Sequence, residues 1–126
     1  MKLLYVTLAV LCTGVLSDEV ELDDNVHVLT DANFKDFLGS NEFVFVKFYA
    51  PWCGHCKKMA PGYAKLGKRM LDENSNIKIA KLDATVHKEA ATEHKVQGFP
   101  TLKFFINGSP VDYQGAREED AIYNWI

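Results

Sequence analysis

Phe43-Val44-Phe45-Val46-Lys47-Phe48-Tyr49-Ala50-Pro51-Trp52-Cys53-Gly54-His55-Cys56-Lys57 is the stretch on which the fold turns. Its first seven residues are aromatic or β-branched apart from Lys47, a near-continuous run that suits a central strand covered on both faces. Pro51 stops the strand. A helical segment is predicted from about residue 53 to 71, with Met59, Tyr63, Leu66 and Met70 at helix-like spacings and Pro61 as an interior kink. The two cysteines therefore fall where a strand hands over to a helix.

That position sets their chemistry. Unpaired backbone N–H groups and the helix dipole at a helix N-terminus favour a thiolate over a thiol. The thiolate is the attacking species in disulfide exchange, so Cys53 is the expected reactive sulfur. Cys56, one turn further in, lies on the same side of the helix and is expected to be more buried and to act second. A protonated His55 imidazole beside Cys53 would further stabilise the thiolate and, through the reduced form, make the disulfide a better oxidant. Trp52 either covers this site and contacts a client, or simply packs.

Two other uses of the pair are disfavoured. Its loop is too short to stabilise the fold by chain entropy, so it is a poor staple. A structural zinc centre needs about four ligands. Beside the one C-x-x-C the chain has only His27, His55, His87 and His94, scattered and without a second paired motif, so no metal is expected.

Outward from the centre, the chain of 126 residues has room for one domain and little more. A formal net charge of −3 supplies no basic footprint for nucleic acid or an anionic membrane surface. Residues 1–17 open on Met1-Lys2, continue with a short apolar run and end on small residues. That is the layout of a secretory signal peptide, and it is shorter than the ~20 apolar residues of a span. Cys12 would leave with it, and no membrane association is expected afterwards. Residues 18–25 form an acidic lead-in, and 26–126 form the domain.

Within the domain, Val26–Leu29 reads as a strand, and Thr30 or Asp31 caps a short helix with Phe34, Phe37 and Leu38 inward. Residues 77–82 are a strand and 86–94 a short helix in which His87 and His94 are solvated. Thr101–Ile106 and 111–113 are strands joined at Asn107-Gly108. Asn107-Gly108-Ser109 also fits a glycosylation sequon, but the turn is favoured. Residues 117–126 close with a helix burying Ile122, Trp125 and Ile126. The order β-α-β-α-β-α-β-β-α means a sheet with helices on both faces.

Four segments, in order, resemble the catalytic domain of the protein disulfide isomerase family. They are Phe48-Tyr49-Ala50-Pro51-Trp52-Cys53-Gly54-His55-Cys56-Lys57-Lys58, Lys81-Leu82-Asp83-Ala84-Thr85, Val96-Gln97-Gly98-Phe99-Pro100-Thr101 and Tyr113-Gln114-Gly115-Ala116-Arg117. The resemblance implies an α/β thioredoxin fold with a mixed central sheet. It also implies an enzyme of the endoplasmic reticulum that forms, reduces or rearranges disulfides in secretory proteins. No bound cofactor is implied; the Cys53–Cys56 disulfide exchanges with unfolded or misoxidised clients and with glutathione or an oxidase. The resemblance further implies that Pro100 follows a cis bond, faces the cysteines and presents the backbone of Gly98-Phe99 to the client. Arg117 matches an arginine that swings toward the inner cysteine, although the residues themselves suggest a solvated helix opener.

One departure from the family matters. Six residues before the first cysteine, a buried acid usually moves protons for the inner cysteine; here it is Lys47. Lys81 matches the usual partner of that acid, so two lysines are brought together. Either Lys47 is partly neutral and takes the Cys56 proton, or its stem snorkels out to water and the acid's role is lost. Two other functions fit the residues less closely: a thioredoxin-type reductase, against which Gly54-His55 and the signal peptide speak, and a client-binding module with incidental cysteines. The chain ends at Ile126 without a retrieval signal, which fits a piece of a multidomain enzyme or a single-domain member held by other means.

Overall fold

The structure is a computed structural model that describes residues 20–126, so the expected signal peptide at 1–17 lies outside the described residues. In chain order the elements are β1 (Leu22–Asp23), β2 (Val26–Leu29), α1 (Phe34–Ser40), β3 (Phe43–Tyr49) and α2 (Gly54–Asp72). They continue with β4 (Ile77–Asp83), α3 (Lys88–Glu93), β5 (Thr101–Ile106), β6 (Ser109–Tyr113) and α4 (Glu119–Trp125). The strands form one sheet in the order β1-β2-β4-β3-β5-β6.

The aromatic run behaves as its pattern requires. Strand β3 is hydrogen-bonded on both edges, parallel to β4 and antiparallel to β5. Alternation then sorts its side chains onto two faces. Val44, Val46 and Phe48 pack with Phe34 and Leu38 of α1 and with Ala90 and Ala91 of α3. Phe45 packs on the other face with Met59, Tyr63 and Leu66 of α2 and Ile122 of α4. Helices thus cover both faces, and Lys47, in phase with Phe45, points at α2.

The site end of the sheet is fixed by register. Phe48 stands opposite Thr101 across the antiparallel β3–β5 pair, so Phe99 and Pro100 come beside the chain leaving β3. Lys47 is level with Lys81 in the parallel β3–β4 pair. Helix α2 continues through Pro61 as a single 19-residue element. Its Gly67 meets the carbonyl of Asn25 so closely that a Cβ there would collide with backbone.

Several sequence expectations are corrected. Residues 22–25 are not a plain lead-in: Leu22 and Asp23 pair with His27 and Val26, and Asp24 and Asn25 turn with positive φ. Two residues are too few to show alternation, although an acidic turn pair was visible. The carboxylate of Asp31 caps α3, a helix remote in sequence, by accepting from Ala90 N at 2.8 Å. Thr30 Oγ1 accepts from Asn33 N in the turn before α1.

His87 is half-buried, its Nδ1 accepting from Asp31 N at 3.2 Å, and His94 packs against Phe34 and Phe105. Neither is simply solvated. Helix α4 begins at Glu119, and Trp125 is 45% exposed, leaning edge-on against Phe104 and Tyr113 while Ile122 alone is buried. Asn107 and Gly108, with φ of 50° and 83°, form the tight turn from β5 to β6, and β6 starts earlier than expected, at Ser109.

Candidate active site

Ala50 ends the run of buried residues, and Pro51 and Trp52 turn the chain into α2. Cys53 is the N-cap of that helix, in extended conformation. Its Sγ accepts a hydrogen bond from Cys56 N at 3.3 Å, one of the donors that a helix N-terminus leaves without an intrahelical partner. The Cys53 thiol donates to the Phe99 carbonyl, 3.6 Å away. Both cysteines are free, Cys53 8% exposed and Cys56 3%.

The environments of the two sulfurs push them apart. The Cys56 thiol hydrogen bond holds the Cys53 thiol below its ordinary pKa, helped by the Cys56 and His55 backbone amides and by the Arg117 charge, against an opposing desolvation. Burial raises Cys56 to about 11, and the bond it donates to Cys53 adds to the rise. The outer sulfur is thus the more easily ionised of the two, and the inner one is held as a thiol. Arg117 is exposed, lies before α4 rather than opening it, and its charge lowers the Cys53 pKa.

The Phe99–Pro100 bond is cis, as the resemblance implied, and its carbonyl side faces Cys53. Gly98 is exposed with open space over its Cα, and its carbonyl accepts from Thr101 Oγ1 at 2.6 Å. Trp52 is 69% exposed and meets Phe99 edge-on with ring centroids 5.8 Å apart. It is therefore a surface aromatic beside the sulfurs, not a core residue. His55 is exposed next to them, and Gly54 leaves open space around its Cα on the same helix turn.

Beneath the cysteines lies a feature of the second layer. Lys47 is the buried charged residue of the described chain, 4% exposed, so the snorkelling alternative is overturned. Its Nζ stands 4.7 Å from the centroid of the Tyr63 ring and 5.4 Å from that of Tyr49. Burial first, then the Lys81 charge, lowers its pKa to about 8, while Cys56 opposes the shift. Lys81 itself is tied outward by a 2.6 Å ion pair to Asp23.

Two residues of this layer escaped the sequence reading. Tyr63, read only as core, shares its hydroxyl proton between the Ala80 and Phe45 carbonyls at 2.6 and 3.2 Å and gives Lys47 its aromatic floor. Asp23 lay in the supposed lead-in; its charge opposite a basic strand residue was the only signal available. Among the described residues, no group of three or more His, Cys, Asp or Glu side chains could hold a metal ion. Nor is any described helix long and apolar enough to cross a membrane.

The thioredoxin family model matches residues 25–126. The chain belongs to the thioredoxin family. This thioredoxin-family chain is 52% identical over 108 residues to the protein disulfide-isomerase of Drosophila melanogaster, covering 86% of this chain and 22% of that protein. It is 45% identical over 122 residues to the protein disulfide-isomerase of Oryctolagus cuniculus, covering 94% of this chain and 24% of that one. The chain thus spans less than a quarter of the length of these two relatives. The first thioredoxin domain of mouse protein disulfide-isomerase A4 superposes with a TM-score of 0.78 at 41% identity, over 85% of this chain and 76% of that domain.

Proposed function

We propose that this thioredoxin-family domain exchanges disulfides with folding proteins of the secretory pathway, in the lumen of the endoplasmic reticulum. The observation that carries the proposal is the split environment of the pair: Cys53 activated at a helix N-terminus, Cys56 buried and protonated one turn behind it. In the reducing direction the Cys53 thiolate attacks a client disulfide, and one client sulfur leaves as thiolate. Cys56 then attacks Cys53, forming the internal disulfide and releasing the second client sulfur. Oxidation of a client dithiol is the same sequence reversed, and glutathione or an oxidase restores the disulfide.

Client geometry follows from the neighbours. The exposed Gly98, the Phe99 carbonyl and the Trp52 ring flank Cys53 and offer an extended peptide a backbone edge with an apolar contact beside it. Relatives of this chain carry the name protein disulfide-isomerase, and residues 1–17 have the layout of a secretory leader. Both support the isomerase-class reading over a thioredoxin-type reductase.

A redox titration against glutathione tests the assignment, because the two classes differ by about 90 mV. A potential of about −180 mV supports it, and one of about −270 mV makes the domain a reductase. A Cys53→Ser, Cys56→Ser double variant should fail to reactivate scrambled ribonuclease. Reactivation at the wild-type rate would leave a client-binding module with incidental cysteines.

A further inference from the structure

A buried cation without a carboxylate partner is costly to keep, so its neighbours decide what it is for. Lys47 projects from the C-terminal part of β3 toward α2 and is almost wholly enclosed. From α2 it is faced by the Tyr63 ring, with Cys56 two turns earlier on the same buried face of that helix; from its own strand it is faced by Tyr49, and from β4 by Lys81, whose charge is drawn toward Asp23 of β1. The β5 residue level with it, Leu102, is apolar. No carboxylate is among these neighbours. The group among these neighbours that both carries a transferable proton and takes part in disulfide chemistry is Cys56.

We infer that Lys47 is the base that takes the Cys56 proton when Cys56 attacks Cys53, and the cation that accompanies the Cys56 thiolate when the reaction runs backward. The inference rests on the disulfide-exchange reading of the pair and adds its proton path. In the forward step the Cys56 S–H proton passes to the Lys47 amine. The Cys56 sulfur forms a bond to Cys53, the bond from Cys53 to the partner sulfur breaks, and the partner leaves with that electron pair as a thiolate. The two cysteines are oxidised, the partner sulfur is reduced, and the Lys47 ammonium returns its proton to solvent.

A neutral amine beside a thiol and an ammonium beside a thiolate hold the same number of protons. The two groups therefore titrate as a pair, and the attacking form appears once the pair has lost one proton. That happens near the Lys47 value of about 8 instead of the Cys56 value of about 11. A carboxylate in this position would give the pair a different charge and a different pH dependence.

The test starts from protein carrying glutathione disulfide-bonded to Cys53, with release of glutathione followed in a single turnover from pH 6 to 11. Wild type should release it with an inflection near 8. Lys47→Met should be slower at pH 7 by about tenfold or more, with its inflection moved up toward that of an unassisted Cys56. Equal rates and equal inflections in the two proteins overturn the role of Lys47 while leaving exchange intact. No release from either overturns the exchange reading itself, and the inference with it.

A second measurement does not depend on the variant folding. The 13C signal of the Lys47 side chain in the reduced wild-type protein should titrate in two steps, and in Cys56→Ser in one. The same single step in both would also overturn the inference.

Discussion

Lys47 is where one residue decides most. Its folded pKa of about 8 lies below the ordinary 10.5, so the fold favours the neutral amine. Its full contribution to stability is present above the unfolded pKa and is lost as pH falls through the folded one. At pH 7 the enclosed ammonium is a liability of up to about 3 kcal/mol. Lys47→Met should therefore stabilise the domain at pH 7 by about 1–3 kcal/mol and do little at pH 10.5, as read from urea unfolding at the two pH values. Destabilisation by the same amount at both would mean that the stem, not the charge, matters. A residue that weakens its own fold at neutral pH is better explained by chemistry than by packing.

The cysteines were legible at this scale and their second layer was not. Two sulfurs three residues apart after an aromatic strand carry their own position, because helix geometry leaves them one arrangement. Lys47 stood out as a charge within an apolar run, yet its burial depends on Tyr63, on the next element and sixteen residues away in sequence. No local pattern records an aromatic ring turned flat beneath an ammonium.

Among the elements, the regular ones followed from composition. β3 announced itself by six aromatic or β-branched residues among its seven, and β5 and β6 by the Asn107-Gly108 turn, whose positive φ values only a few residue types accept. The failures were long-range. Asp31 looked like the cap of the helix just after it, but its carboxylate accepts from Glu89 N and Ala90 N at 3.3 and 2.8 Å. It pins the start of α3, the helix whose end leads to Gly98 and Pro100. Asp31→Ala should cost about 1 kcal/mol of stability in denaturant titration, and Asp31→Asn, which keeps an acceptor, only a few tenths. Equal losses in both would assign the effect to something other than the cap.

For the whole molecule, the mixed sheet works as a positioning device. Antiparallel pairing of β3 with β5 delivers the cis-Pro100 loop to the C-terminal end of β3, where α2 also begins. Parallel pairing of β3 with β4 sets Lys81 level with Lys47. Three facts that are far apart along the chain — a helix start, a proline loop and a pair of lysines — meet at one end of one strand. The co-ordered motifs made that meeting readable in advance, as a resemblance. Charge and burial within it came only from the fold.

The central claim is that this meeting point makes Cys53, and not Cys56, the reactive sulfur. Its most direct test is the rate of iodoacetamide labelling of the fully reduced domain against pH, with each cysteine followed separately by peptide mass. Cys53 should be labelled with an inflection below the ordinary thiol value of 9.0, and Cys56, the more enclosed sulfur, far more slowly at every pH. Labelling of Cys56 first, or of both cysteines together at the ordinary thiol value, would contradict it.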